Sequence, residues 1–260
     1  MKRNESAADA AADAGARASA AHDIKSRVTD EALVQKRRSQ IIAAAVELFA
    51  HRGYYRTTIL DVARKAGVSS GLIYQYVSDK DDVLLLALLT VLERYQHEIP
   101  AALEGLTDPL ARWRAAILAY CRVVDQNREA TVLAYRSTKT LPPDRRHVIM
   151  QSEVDTNALI ADCLRECVAE GLFRPIQVDL VTYQLVTFAH TWALKNWRLR
   201  KICTLDEYVE QGFDFFAHAL LTAKGWRQYR KLLAAPAPGA EGEVSTDKRA
   251  LRSMAKELKR

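Results

Sequence analysis

The sequence predicts an all-α protein of about nine helices, with a small basic three-helix unit followed by a larger helical body. Three observations carry this reading. Apolar residues recur at three- and four-residue spacing through almost every segment between the two ends. The alternation of a half-buried strand is absent, and Ser, Thr and Gly stand where helices should begin and end. The 260 residues suffice for a sizeable core, and 49% hydrophobic with 27% charged residues is an ordinary soluble composition. No run reaches the ~18 apolar residues of a membrane span, residues 83–92 falling well short. The N-terminus lacks the apolar core of a signal peptide, so a cytoplasmic protein is expected.

Residues 1–30 are rich in Ala, Asp and Arg without apolar periodicity and read as a disordered arm. A first helix carries Ile42, Ala45, Val46 and Phe49 on one face and stops at Gly53. Thr58 with Asp61 forms a capping-box pattern for a second helix bearing Ile59, Val62, Ala63 and Ala66, which Gly67 ends. Ser69 caps a third that holds Ile73 and Val77 inward. Ser78 with Asp81 starts a fourth over residues 81–98, where Asp81 and Asp82 suit the positive helix end.

Further stripes follow in the body. Leu110, Trp113, Ile117, Tyr120 and Val124 make one, and Ile149, Thr156, Ile160, Cys163 and Cys167 make another that stops at Gly171. Residues 180–197 are apolar nearly all round, which demands burial on two sides. Thr204 with Glu207 opens a last long helix carrying Leu205, Tyr208, Val209, Gly212, Phe213, Phe216 and Leu220. Pro236, Pro238, Gly239 and Gly242 then break the chain. The expected units are an arm (1–30), a head (31–80), a body (81–234) and a flexible basic tail (235–260).

Charge singles out the head. Residues 35–80 hold eight Lys and Arg against Glu47, Asp61 and Asp79, which is nearly all of the chain's net +6. Such concentration favours a polyanionic partner, because neutralising phosphates releases counterions. The turn Ala66-Gly67-Val68-Ser69 matches the plan of a helix-turn-helix, with Gly67 free to take positive φ. At 100° per residue, Gly71 and Gln75 point outward on the third helix, with Leu72 and Tyr74 at the flanks. Gln75 could pair with adenine in a major groove and Leu72 could meet a thymine methyl. Tyr74, Tyr76 and Lys80 suit phosphate contacts.

Gly53-Tyr54, Thr57-Thr58-Ile59, Asp61-Val62-Ala63, Ala66 to Ser69, Gly71 and Ile73 to Lys80 together closely resemble the DNA-binding head of the tetracycline-repressor (TetR) family. The resemblance covers residues 37–85, with Val77, Ile73 and Asp79 as mild departures. It implies phosphate contacts from Thr58, Tyr74, Tyr76 and Lys80, and base contacts from Ser70, Gly71, Leu72 and Gln75, with Ser69 at the start of the reading helix. Arg37 and Arg38 match a basic lead-in laid along the DNA backbone or the minor groove, and Asp79 would stand beside the phosphates.

The resemblance also implies a body whose middle helices enclose a ligand and whose last two helices pair with a second subunit. Trp113, Ile117, Tyr120, Tyr135, Asn157, Tyr183, Thr187, His190 and Trp197 are the candidate ligand residues, with core packing as the alternative for each. Leu205, Tyr208, Val209, Gly212, Phe216 and Leu220 are the candidate dimer residues, Gly212 allowing close approach of another helix. A dimer is expected because one short reading helix spans too few base pairs. Lys195, Arg198, Arg200 and Lys201 suit either a coenzyme A phosphate or a helix C-terminus.

The expected function is a ligand-responsive repressor on a palindromic double-stranded operator, released by a hydrophobic or aromatic small molecule or an acyl-CoA. An activator and a ligand-independent nucleoid protein are the alternatives. No paired acid and base, activated nucleophile or metal set marks an enzyme, and no cofactor is expected. Cys163 and Cys167, four apart, read as core or as a redox or metal pair lacking further ligands.

Overall fold

The computed structural model describes residues 30–234; the expected tail and all of the expected arm but Asp30 lie outside them. Among the described residues there are eleven α-helices, one 3₁₀ turn at Thr138–Thr140 and a single isolated bridge between Phe173 and Leu221. α1 (Glu31–Arg52) begins well before its apolar stripe, because the Asp30 side chain accepts the Leu33 N–H at 3.1 Å. α2 (Ile59–Ala66) carries the Thr58–Asp61 capping box, and Gly67 closes it in the left-handed region at φ 68°. α3 (Ser70–Ile73) is one turn long, and Ser69 Oγ accepts the Leu72 N–H at 3.2 Å.

α4 (Lys80–Leu103) starts one residue later than the Ser78 cap predicted. Asp79 is the cap, accepting the Asp82 N–H at 2.7 Å, while the Ser78 N–H is held by the Asp82 carboxylate at 2.8 Å. The body continues with α5 (Pro109–Gln126), α6 (Arg128–Ser137), α7 (Pro143–Ala169) and α8 (Val178–Leu194). α9 (Asn196–Leu199), α10 (Leu205–Leu220) and α11 (Ala223–Ala234) complete it. The expected helix over 180–197 thus ends at Leu194, and Trp197 falls on the separate turn α9.

Two apolar clusters hold the chain together, and α4 runs through both. Its Val83 to Leu86, Leu88 and Leu89 pack with Ile41, Phe49, Val62, Ile73 and Val77 of the head. Val91, Tyr95 and Ile99 on its later turns pack with Leu110, Trp113, Tyr120, Ile160, Leu164 and Leu185 of the body. Displacing α4 in the body must therefore disturb the head's packing, since close-packed interiors transmit strain. α10 and α11 are pinned to the α7–α8 connection by the Arg174 N–H to Leu220 O and Thr222 N–H to Leu172 O bonds, both 2.9 Å.

Gly212 admits a close approach within the chain itself. A Cβ there would lie 2.1 Å from Cζ of Phe188, so the glycine receives a ring from α8 of the same chain. Phe188 stacks on Tyr208 at 4.5 Å between centroids, and Tyr208 Oη donates to the Phe188 carbonyl at 2.7 Å.

Candidate nucleic-acid interface and interior cavity

On the head, Ser69, Ser70, Gly71, Tyr74 and Gln75 are exposed together, and Leu72 is half-buried beside them. This outward face is what the 100° projection predicts. Thr58 is exposed at the start of α2, although its hydroxyl already donates to Asp61 Oδ2 at 2.7 Å. Arg37 lies at the surface within reach of Gln40 Oε1 at 3.0 Å.

Two predicted contacts are buried, and a third is held by the head's own backbone. Tyr76 is 2% exposed and belongs to the head's apolar cluster, because the chain after α3 turns inward toward Val77. Arg38 is buried as well, its Nε donating to the Tyr76 carbonyl at 3.3 Å; burial lowers its pKa, opposed by the charge of Asp82. Lys80 directs its ammonium to the Tyr54 and Thr57 carbonyls at 3.0 and 3.1 Å, over the Tyr54 ring. Tyr76 and Arg38 are thus buried within the head, while Lys80 is half-buried at its edge. Tyr55, 79% exposed in the loop before α2, was not singled out; its signal was an aromatic between Tyr54 and the basic Arg56.

Asp79 does not stand as a bare charge. Arg145, in the first turns of α7, donates to both its oxygens at 2.9 and 3.2 Å and reaches Asp82 at 2.7 Å. The Tyr54 hydroxyl bonds to Asp81 in the same cluster. Burial alone would raise the Asp79 pKa, but Arg145 and the N–H groups of Asp82 and Asp81 outweigh it and hold the carboxyl below its ordinary value. The start of the connecting helix is thus tied by charge to a body helix.

Behind the head, α4 to α8 surround a cavity of about 250 Å³ that opens to the surface beside the exposed Tyr135 and Met150. Leu88, Val91, Leu92 and Tyr95 come from α4, Tyr120 from α5, Ala130, Thr131, Ala134 and Tyr135 from α6, Ile149, Met150 and Glu153 from α7, and His190 from α8. Tyr120 and Tyr135 hydroxyls meet the two ring nitrogens of His190 at 3.1 and 2.9 Å, so one donates to the ring and the other accepts from it. Burial depresses the His190 pKa to about 4, which leaves the imidazole neutral near pH 7. Tyr95 stacks on Tyr120 at 4.1 Å.

The candidate ligand residues therefore divide. Tyr120, Tyr135 and His190 share the cavity wall. Trp113 and Ile117 are core, Trp113 wedged edge-on between Phe173 and Phe213 at 5.2 Å from each. Asn157 is buried with neither amide atom bonded, and Trp197 is 67% exposed. Tyr183 and Thr187 face outward into an apolar groove of about 880 Å³ between α8 and α10, shared with Leu180, Phe215 and Ala219. Of the candidate dimer residues, Tyr208, Gly212, Phe216 and Leu220 line that groove, whereas Val209 is buried in the chain's own core and Leu205 packs partly against it. The exposed Leu180 and Phe215 were missed, since each looked like one more residue of a core stripe. Glu153 was missed too, though it is an acid in register with Ile149 and Thr156.

Residues 41–87 match the family described as bacterial regulatory proteins, tetR family, and residues 106–197 match the tetracyclin repressor-like C-terminal domain. The HTH-type transcriptional regulator HbdR of Aromatoleum sp. (strain CIB) is 54% identical over 207 residues, covering 80% of this chain and 90% of that protein. Two relatives from Mycolicibacterium smegmatis are each 27% identical: the repressor KstR2 over 62% of this chain and 78% of its own, and the activator FasR over 72% and 86%. The crystal structure of a tetR-family regulatory protein from Rhodococcus RHA1 shares the fold, with a TM-score of 0.66, 19% identity and coverage of 72% of this chain and 98% of that one. A helix-turn-helix head joined through one long helix to a hollow helical body, matched along most of its length by such relatives, belongs to the TetR family of transcriptional regulators.

Proposed function

We propose that this chain is a ligand-responsive repressor that binds a palindromic operator as a homodimer and is released when a hydrophobic or aromatic small molecule enters the cavity. The observation that carries the reading is the double membership of α4. Leu88, Val91, Leu92 and Tyr95 line the cavity, while the same helix begins at Asp79 and packs the head through Val83 to Leu86. A ligand that binds better to one position of α4 than to another shifts the head accordingly. Arg145 adds a second route, since α7 also supplies Met150 and Glu153 to the wall. Operator binding is lost once the two reading faces no longer match successive major grooves, ~34–36 Å apart.

The groove between α8 and α10 is the proposed subunit interface, with Leu180, Tyr183 and Phe215 burying their exposed apolar surface against a second copy. Contact with DNA falls to Arg37, Thr58, Ser69 to Leu72, Tyr74 and Gln75. An acyl-CoA effector would fit only by its acyl group, because about 250 Å³ holds a ring or short chain and not a nucleotide. The test is fluorescence anisotropy with DNA from the chain's own promoter region, with and without candidate effectors. Effector-dependent release, abolished by filling the cavity with Leu92→Trp, is expected. Affinity that no effector changes would favour the ligand-independent alternative, and ligand-strengthened binding would favour an activator.

A further inference from the structure

We propose that Glu153 selects the ligand, so that the cavity admits a ring bearing a non-anionic hydrogen-bond donor and turns away free carboxylates. The inference rests on the cavity being an effector site, as proposed above, and adds the chemistry of what enters it.

Glu153 lies half-buried on the wall and makes no hydrogen bond or ion pair with any described residue. A carboxylate withdrawn from water without donors is costly, and it gains most from a ligand that brings one. The wall offers it no cation, for it contains neither Lys nor Arg, and none of its hydroxyls bonds to the Glu153 carboxylate. His190 cannot serve, since both ring nitrogens are taken by Tyr120 and Tyr135. A ligand carboxylate would therefore meet a like charge with no cation to offset it.

A second unpaired group lies just behind the wall. The Tyr95 hydroxyl, on a residue 2% exposed, stands near the Thr131 and Tyr120 hydroxyls but makes no hydrogen bond of normal geometry. Its oxygen has essentially no accessible surface, so it lies behind the wall and a ligand would reach it only if the wall shifts. The charge of Glu153 also helps to raise the Tyr120 and Tyr135 hydroxyl pKa values, so its field crosses the space a ligand would fill. Volume limits the rest: a cavity of about 150 Å³ holds benzene. The 250 Å³ here suits one substituted ring against the Tyr95–Tyr120 stack.

The test is isothermal titration of the full chain with four probes of one shape: 4-ethylphenol, 4-ethylbenzylamine, ethylbenzene and 4-ethylbenzoate. The phenol or the amine should bind at least about tenfold more tightly than the benzoate, and whichever is tighter tells a neutral donor from a cationic one. Glu153→Gln, which keeps the shape and an acceptor oxygen, should raise benzoate affinity about tenfold and weaken the amine. Benzoate binding as tightly as phenol and amine in the unmodified chain, or an unchanged ranking in Glu153→Gln, would overturn the selection. If all four bind alike and all are lost in the cavity-filling Ala134→Trp, the effector site stands and only the role of Glu153 fails. If none binds, both fall.

Discussion

Replacing Arg145 with methionine isolates the charge that ties body to head. Methionine keeps much of the aliphatic stem and removes the ion pairs to Asp79 and Asp82 together with a longer one, 3.9 Å, to Asp81. The Asp79 pair is bidentate at 2.9 and 3.2 Å, but the Asp79 side chain is 51% exposed, so screening limits its worth to about 1 kcal/mol. Asp82 is another matter, 2.7 Å from Arg145 with a side chain only 5% exposed. Without Arg145 it would keep the Ser78 N–H at 2.8 Å and little else nearby to balance its charge beyond the more distant Arg38. Leaving such a carboxylate underpaired costs about 2 kcal/mol, which makes the sum about 3 kcal/mol. For a chain of this size that is a fall in Tm of about 6–12 °C. Urea and thermal unfolding at fixed protein concentration measure it, because a dimer's stability moves with concentration. The pH dependence supplies a second check. The folded pKa of Asp79 is depressed, so its contribution is full above the unfolded value and is lost as pH falls through the folded one. The gap between the two proteins should therefore narrow at pH 3. A loss below about 0.5 kcal/mol at pH 7, or the same gap at pH 3, would refute the latch.

His190 acts with the same sign in a higher pH window. Its folded pKa of about 4 lies below the ordinary 6.5, so the unfolded chain binds the proton more readily and stability falls as pH drops from about 6.5 toward 4. Between pH 7 and pH 5 the loss should be about 2 kcal/mol in urea titrations, and His190→Gln should flatten it. Gly212→Ala places a methyl carbon 2.1 Å from Phe188 Cζ, and the displaced ring should cost about 2 kcal/mol by thermal unfolding. Tyr74→Ala, at a residue 47% exposed, should weaken binding to every DNA sequence in an anisotropy titration while leaving Tm unchanged. Lys80→Ala should lower Tm instead, because its ammonium holds the Tyr54 and Thr57 carbonyls.

The division between what could and could not be read from the chain follows the range of the forces involved. Thr58 with Asp61, Gly67 and Ser69 act within four residues, so their caps and turn were legible. Arg38 and Tyr76 were misplaced because their burial depends on α1 meeting the segment after α3, 38 residues away. On α5, one stripe carries Trp113, Ile117 and Tyr120, yet only Tyr120 reaches the cavity. Periodicity names the face of a helix and is silent about position along the axis, and a cavity of about 250 Å³ spans only a turn or two. The same reasoning explains why α8 seemed to need two partners. Thr182, Leu185, Val186, Ala189 and Trp192 bury one face in the chain, while Leu180, Tyr183 and Thr187 keep the other for the outer groove. An apolar residue is thus weak evidence of where a ligand sits, since core, interface and cavity all require it. An acid on an apolar stripe is stronger evidence, because burial penalises it wherever no partner waits. Glu153 is that residue on α7, four places from Ile149, and its carboxyl pKa is raised by burial. The packing of the free protein supplies no partner for it, and a ligand in the cavity would.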